Sequence, residues 1–307
     1  MEVYEYGVLI RCFTFNQSQY IEQALTSFIS QQTTFPFLIA LVDDFSTDGQ
    51  VSLLHRFLER EFDLSSDTSY EYETDYANIV YASHRQNKYC HILVHFLKYN
   101  HYSIRKKKAP YLLKWVKMSK YQAICEGDDY WIDKNKLQLQ YNYLDQHLDC
   151  AMCFTAFRTV SPDGTEKDVY RYRTDVDECS IKDCIRKGGS YTKLNSILYR
   201  ASYASPKPTW YTHAHVGDLP LFLTLFLHGK VAYINKVTCC YRKNAKGSWT
   251  ESKNLWKTSE VLYTLKERWL FWNDVNAETR YIYSFAVYRR QIHDFISNIS
   301  QLVKSVL

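Results

Sequence analysis

Residues 37–49 read FLIALVDDFSTDG. Phe37 to Val42 is an unbroken apolar run of strand length, and a run without alternation suits a strand covered on both faces. It stops at Asp43-Asp44, and Phe45-Ser46-Thr47-Asp48-Gly49 is a polar turn. Upstream, Gly7 to Phe13 predicts a first strand and Asn16 to Ser18 a turn. Tyr20, Ile21, Ala24, Leu25 and Phe28 then recur at helical spacing. Downstream, Val51, Leu54, Phe57 and Leu58 line a second amphipathic helix. The order β-α-β-α is that of a parallel sheet with crossover helices.

The same device returns later. Tyr121 to Cys125 reads as a strand and runs straight into EGDDYW, residues 126–131. A helix follows, with Leu137, Gln140, Tyr141 and Leu144 on one face, and Cys150 to Phe157 is a further strand. Residues 62–78 read as a loop and Ile79 to Ala82 as a strand. Residues 89–118 hold two apolar runs around Arg105-Lys106-Lys107-Lys108 and Pro110, with no clear phase. Beyond Ser161-Pro162-Asp163-Gly164, a turn signal, come a strand over Thr192–Arg200, a helix over Leu219–His228, and strands near 231–234 and 237–241. From about 251 the chain reads as helical. There is no internal repeat and no flexible linker.

Composition narrows the function classes. Apolar residues make up 46%, enough for a sizeable core, and nine Gly with six Pro exclude collagen-like and low-complexity chains. Those glycines form neither GxGxxG nor GxxxxGK, so dinucleotide and Walker loops are excluded. No apolar run approaches the roughly 18 residues a membrane-spanning helix needs. The start, MEVYEYGVLIRCF, places Glu2 and Glu5 before any basic residue and is not read as a signal peptide. Net charge is +5, too modest to carry an argument, and the basic run 105–108 reads as a solvated face; no nucleic-acid partner is expected. The nine cysteines are odd in number. Cys150 and Cys153 form a CxxC inside an apolar strand with no second half-site, so buried thiols in reducing cytosol are expected.

Two acidic doublets, Asp43-Asp44 and Asp128-Asp129, end apolar strands, where ligands of open α/β sheets bind. Carboxylates held together raise one another's pKa. A divalent cation removes that cost, and Mg2+ or Mn2+ takes its other ligands from water and substrate phosphates.

Residues 8–49, VLIRCFTFNQSQYIEQALTSFISQQTTFPFLIALVDDFSTDG, and residues 120–147, KYQAICEGDDYWIDKNKLQLQYNYLDQH, resemble the family 2 glycosyltransferases of the GT-A fold. Among these the chain is most similar to bacterial members that build surface polysaccharides. The resemblance is strong over about 7–60 and 119–160, moderate over 190–250, weak over 62–118 and absent after 251. EGDDYW followed by KLQ-x-Q is its most specific part. It implies a mostly parallel, Rossmann-like central sheet flanked by helices in a domain over 1–250; the helical pattern beyond, rich in Trp, Leu and Tyr, reads as a small C-terminal helical extension over 251–307. It also implies inverting, metal-dependent transfer of a sugar from a nucleoside diphosphate donor, expected to be a UDP-sugar. The acceptor would be a saccharide or lipid-linked saccharide.

Site roles carry over from the resemblance. Thr14 and Asn16 would line the nucleoside, and Asp44 would read the base edge. Asp128 would approach ribose and metal, and Asp129 would ligate Mn2+ or Mg2+. Asp218, in Val216-Gly217-Asp218-Leu219-Pro220, would be the general base, with a helix N-cap as the competing reading. Arg242 and Lys243 would meet the diphosphate. Asn244 stands where the family often has His, and Phe13 replaces a common Pro.

Other residues read more plainly. His213 and His215 read as loop histidines. Tyr130 and Trp131 suit sugar stacking or packing equally, and Trp249 reads as a core or surface residue, with a mobile loop over the donor as the alternative. The tail around Trp269, Leu270, Phe271, Trp272 and Arg289-Arg290 suits either packing on the domain or an interfacial membrane helix. A cytoplasmic location is expected, with peripheral contact at the inner membrane face as an option. A sugar-phosphate nucleotidyltransferase is the rival enzyme, but residues 8–18 have no Gly for its N-terminal loop. A non-catalytic saccharide- or nucleotide-binding member is the rival outside enzymes, and the four intact aspartates argue against it.

Overall fold

A computed structural model describes residues 4–172, 179–204, 207–214, 216–246 and 258–306 of the chain. The first half runs β1 (Tyr6–Thr14), α1 (Ile21–Ile29), β2 (Phe37–Asp43), α2 (Gln50–Glu61), β3 (Phe62–Asp63), β4 (Tyr70–Glu73), β5 (Ala77–His84), β6 (Cys90–Leu97), α3 (Leu113–Lys117) and β7 (Ser119–Ile124). Then come β8 (Tyr130–Trp131), α4 (Lys136–Gln146), β9 (Cys150–Val160), β10 (Glu166–Tyr170), α5 (Ile181–Lys187), β11 (Ile197–Arg200), α6 (Asp218–His228) and β12 (Lys230–Arg242). Two long helices, α7 (Thr258–Glu278) and α8 (Ser284–Val306), close the chain.

All strands join one sheet of order β3-β5-β6-β2-β1-β7-β11-β9-β12-β8, with β4 beside β5 and β10 beside β9. Its centre is the expected parallel block: β6, β2, β1 and β7 pair in parallel. Strands β9 and β12 pair in parallel as well, and the antiparallel strands between and outside these blocks make the sheet mixed. Strand β11 enters antiparallel between β7 and β9, and β3, β4, β5, β8 and β10 also pair antiparallel. The physical reason is the connections: β5 returns to β6 through a short turn, which permits only antiparallel pairing.

Strand β2 shows why FLIALV reads as it does. Phe37, Ile39 and Leu41 pack with α1 and α2, through Ile21, Leu25, Phe28, Leu54 and Phe57. Leu38, Ala40 and Val42 pack on the other face with Leu9, Leu93 and Leu112. The seven residues of β2 are all fully buried. Helices α7 and α8 are no separate body: Phe271, Trp272, Val275 and Val287 share a core with Met152, Phe154 and Phe222. Trp272 and Phe271 therefore pack on the domain. Helix α8 buries Gln291, Asp294 and Asn298 while it exposes Phe285, Ile292, Phe295 and Ile296. All nine cysteines are free and buried. Burial pushes the Cys153 thiol up to about 12. No helix among the described residues is long and apolar enough to cross a membrane.

Candidate active site

The parallel strands end side by side. Thr14 is in register with Asp43, and Arg11 with Ile124. Strand β1 lies between β2 on one side and β7 on the other, so chain order reverses there, which is where open α/β sheets bind their ligands.

The loops that follow are laced together by buried polar groups. The Thr14 hydroxyl lies 2.9 Å from Gln17 Oε1 and 3.1 Å from Gln50 Oε1, and Gln17 N–H donates to Gln50 Oε1 at 2.8 Å. Asn16 adopts a left-handed backbone with φ 51°. Its N–H donates to Ser46 Oγ, and its Oδ1 accepts from Thr47 N–H. Both side chains expected to line the nucleoside thus tie the first loop to the second. Asp43 is fully buried, where Ser46 N–H and the Gln50 amide donate to it. Its pKa is raised by burial, which those bonds oppose.

Asp44 is also fully buried, and its carboxylate is enclosed by the segment after β6. His101 N–H donates to it at 2.7 Å, Tyr102 N–H at 3.2 Å and Lys108 Nζ at 2.6 Å. Lys108 therefore leaves the basic run read as a solvated face and becomes the partner of the expected base reader.

The third loop is EGDDYW. Gly127 is required by crowding: a Cβ there would lie 2.5 Å from Gln17 Oε1 and 2.7 Å from Thr14 Oγ1. Asp129 is buried, and its Oδ1 accepts from Arg242 N–H at 2.8 Å. The Arg242 guanidinium donates to Asp128 O and to Gln23 Oε1, and lies over the rings of Tyr20 (4.4 Å) and Tyr130 (5.3 Å). Arg242 thus holds the aspartate loop, and only 4% of it is exposed. Lys243 beside it is exposed, and Asn244 sits in a left-handed turn. Burial raises the pKa of Asp128, against the pull of Arg242. Burial and the Asp128 charge raise that of Asp129 well above the carboxylate range. Trp131 packs as core, with its Nε1–H donating to Asn195 O at 2.9 Å.

Asp218 is the first residue of α6, and Gly217 takes the cap position, so Asp218 is not the N-cap. Its pKa is raised by burial and lowered in part by Lys193 and Arg11. Its charge in turn reaches Glu126, which burial pushes up to about 7. Glu126 accepts from Phe13 N–H at 2.8 Å and lies 3.8 Å from Arg11. Asp218 therefore shares one electrostatic neighbourhood with the aspartate loop, ninety residues earlier in the chain.

Lys193 completes that neighbourhood. Its ammonium lies 4.5 Å from the Tyr241 ring and, among the described residues, has no hydrogen bond. Burial lowers its pKa, while Asp218 and Asp129 oppose this. Nothing in the sequence marked Lys193, a lone cation in a polar stretch, whereas Glu126 stood unassigned inside the quoted motif. His213 pairs with Glu267 at 2.9 Å. His215 and Trp249 lie outside the described residues.

The carboxylate pair can be tested against a divalent cation. Asp128 and Asp129 are adjacent, costly to ionise together and placed just beyond the end of β7. No group of three His, Cys, Asp or Glu that could hold a metal ion gathers among the described residues. That donor set does not suit zinc, but it fits Mg2+ or Mn2+, which complete their shells with phosphate oxygens and water.

No known protein-family profile matches the chain. Uncharacterized proteins of Mycobacterium tuberculosis and Mycobacterium bovis are 27% identical over 256 residues, covering 80% of this chain and 62% of theirs. The chain thus spans less than two thirds of the length of these curated relatives. Among solved structures, TarS 1–349 of Staphylococcus aureus, with UDP-GlcNAc, superposes with TM-score 0.55 at 14% identity. That match covers 88% of this chain and 66% of that one. A mannosyltransferase of Pyrobaculum calidifontis, in complex with GDP-Man and Mn2+, superposes with TM-score 0.51 at 13% identity over 97% of this chain and 76% of its own. The chain shares the α/β fold of these two proteins.

Proposed function

We propose that the chain is a glycosyltransferase that moves a sugar, with inversion, from a nucleoside diphosphate donor to a hydroxyl of a saccharide or lipid-linked saccharide in surface polysaccharide synthesis. One observation carries this reading: the Asp128–Asp129 pair, Lys193 and Asp218 share one neighbourhood at the strand ends of a sheet with this fold. Asp129 and Asp128 would hold Mn2+ or Mg2+, which when bound neutralises charge on the leaving diphosphate. Lys193 and Lys243 supply further positive charge for the phosphates. Asp218 takes the proton of the attacking hydroxyl, and its raised pKa suits a base. Arg242 keeps both aspartates in place. Asp44 would read the base when the 98–108 segment that encloses it moves aside and its carboxylate exchanges a donor for the base.

The fold neighbours carry UDP-GlcNAc and GDP-Man in turn, so the base is a matter for measurement. Thermal shifts with UDP, GDP, dTDP and CDP, each with and without Mn2+, test the donor site, because a ligand that binds only the folded state raises the melting temperature. A metal-dependent shift with UDP is expected. No shift with any of the four refutes the reading. Peripheral membrane contact belongs to the same proposal, supported by the apolar residues that α8 turns outward. Cosedimentation with anionic vesicles tests it.

A further inference from the structure

A cavity of about 460 Å³ lies between the start of α6 and the two C-terminal helices. Val216, Leu219 and Pro220 form one wall and immediately flank Asp218 in the chain. Phe271 and Trp272 add apolar lining, and Gly189 and Ser190 line it as well. Two arginines, Arg268 and Arg290, are also among its lining residues.

The charges there are unevenly satisfied. Asp294, the one carboxylate in the lining, is fully engaged: Arg290 lies 2.8 Å from Oδ1, His293 3.5 Å, and Trp272 Nε1–H donates to Oδ2 at 3.0 Å. Arg290 also donates to Arg186 O and packs against Gly188, where a Cβ would lie 2.7 Å from its guanidinium carbon. Its Nε is buried without a partner. Arg268 has no hydrogen bond or ion pair among the described residues. Burial lowers its pKa more than Asp294 restores it. The nearby acids Glu267 and Asp274 face His213 instead. An unpaired, half-buried guanidinium in a partly apolar cavity is a site for a compact oxyanion.

We propose that this cavity binds a phosphate or carboxylate group through Arg268 and Arg290, and so selects an acidic saccharide acceptor beside Asp218. The acceptor part rests on the glycosyltransferase reading; the oxyanion part does not. The test is calorimetric binding of glucose 6-phosphate, glucuronate and glucose to the full chain, wild type and variants. Arg268→Gln removes the unpaired charge. Gly189→Glu places a carboxylate in the lining, where a Cβ meets nothing within 4 Å, and so answers the question if Arg268→Gln fails to fold. Lys243→Gln controls for binding at the strand ends.

In wild type and Lys243→Gln, at least one acidic sugar should bind about tenfold or more tighter than glucose, as a charged hydrogen bond gives. Which acid does so identifies phosphate or carboxylate as the group. That preference should vanish in Arg268→Gln and Gly189→Glu. Equal affinity for all three sugars in wild type, or a preference that survives both variants, overturns the proposal. UDP binding with Mn2+, measured on the same samples, reports on the donor site separately.

Discussion

Lys136 is fully buried, against Trp131 at the end of the EGDDYW loop. Its ammonium donates to Gln140 Oε1 at 2.6 Å and lies 4.5 Å from the Trp131 ring. Gln140 in turn donates to Ser196 O at 2.9 Å and Cys153 O at 3.3 Å. This is the physical content of the KLQ-x-Q stretch: a buried charge that one amide and one ring make tolerable. Gln140→Leu should cost about 3–5 kcal/mol. A charge-assisted bond contributes about 1.5–3 kcal/mol, and the lost amide bonds to Cys153 O and to Ser196 O, which keeps a longer bond from Thr155 Oγ1 at 3.4 Å, add the rest. At about 2–3 °C per kcal/mol the melting temperature should fall by roughly 10 °C. Lys136→Met in that background removes the stranded ammonium and should restore at least about 1.5 kcal/mol. The pH dependence has a definite sign. Burial lowers the folded-state pKa of Lys136, so below 10.5 the folded state loses its proton before the unfolded state does. Stability from this residue therefore rises with pH through that window, and Lys136→Met should flatten the rise. Denaturant melts of the four proteins between pH 7 and 10 measure all of this. A double variant no more stable than Gln140→Leu alone would refute the reasoning.

Four further outcomes follow from the site. Asp129→Asn should fold normally and lose most of the Mn2+-dependent part of UDP binding, read by calorimetry. Asp218→Asn should keep nucleotide affinity and melting temperature but lower donor turnover by about 100- to 10,000-fold with acceptor present; near-normal turnover would remove it as the base. Lys193→Met should weaken UDP by about 10- to 100-fold, the loss of one charged contact, and unchanged affinity would leave Lys193 outside the phosphate site. Gly127→Ala should destabilise by about 1–3 kcal/mol, since the added methyl meets Gln17, Thr14 and Ile21, and a melt indistinguishable from wild type would show that the loop gives way.

Three strands of the parallel block were legible for a local reason: β1, β2 and β7 each carry an apolar run that stops at a polar turn, whereas β6 lies in the stretch with no clear phase. What escaped is governed by distant partners. Strand β4, Tyr70–Glu73, is exposed along its whole length, so no apolar pattern announces it in a stretch read as loop. The 98–108 segment takes its shape from Asp44, more than fifty residues away, through His101, Tyr102 and Lys108. Strand β12 reads as two strands because its register shifts between Ile234 and Val237, where Asn235 and Lys236 face water. Strand β11 was visible as a strand, but its antiparallel insertion beside β7 was not, since neighbours in a sheet are not written in periodicity. In the site, the aspartates stood out as doublets, whereas Lys193 and Lys108 matter only through the charges they face.

The burial of every cysteine has a practical consequence for the bench. An alkylating reagent needs a thiolate it can reach, and the folded chain buries every thiol, while burial raises the pKa of Cys12, Cys90, Cys125, Cys153, Cys179 and Cys184. Labelling can then proceed only when a segment opens. The positions differ in what must open: Cys12, Cys90 and Cys125 sit in or beside the parallel block, whereas Cys179 and Cys184 lie under the C-terminal helices. The order in which a mass spectrometer finds these sites labelled would be a clock for which part of the chain comes apart first, without any engineered probe.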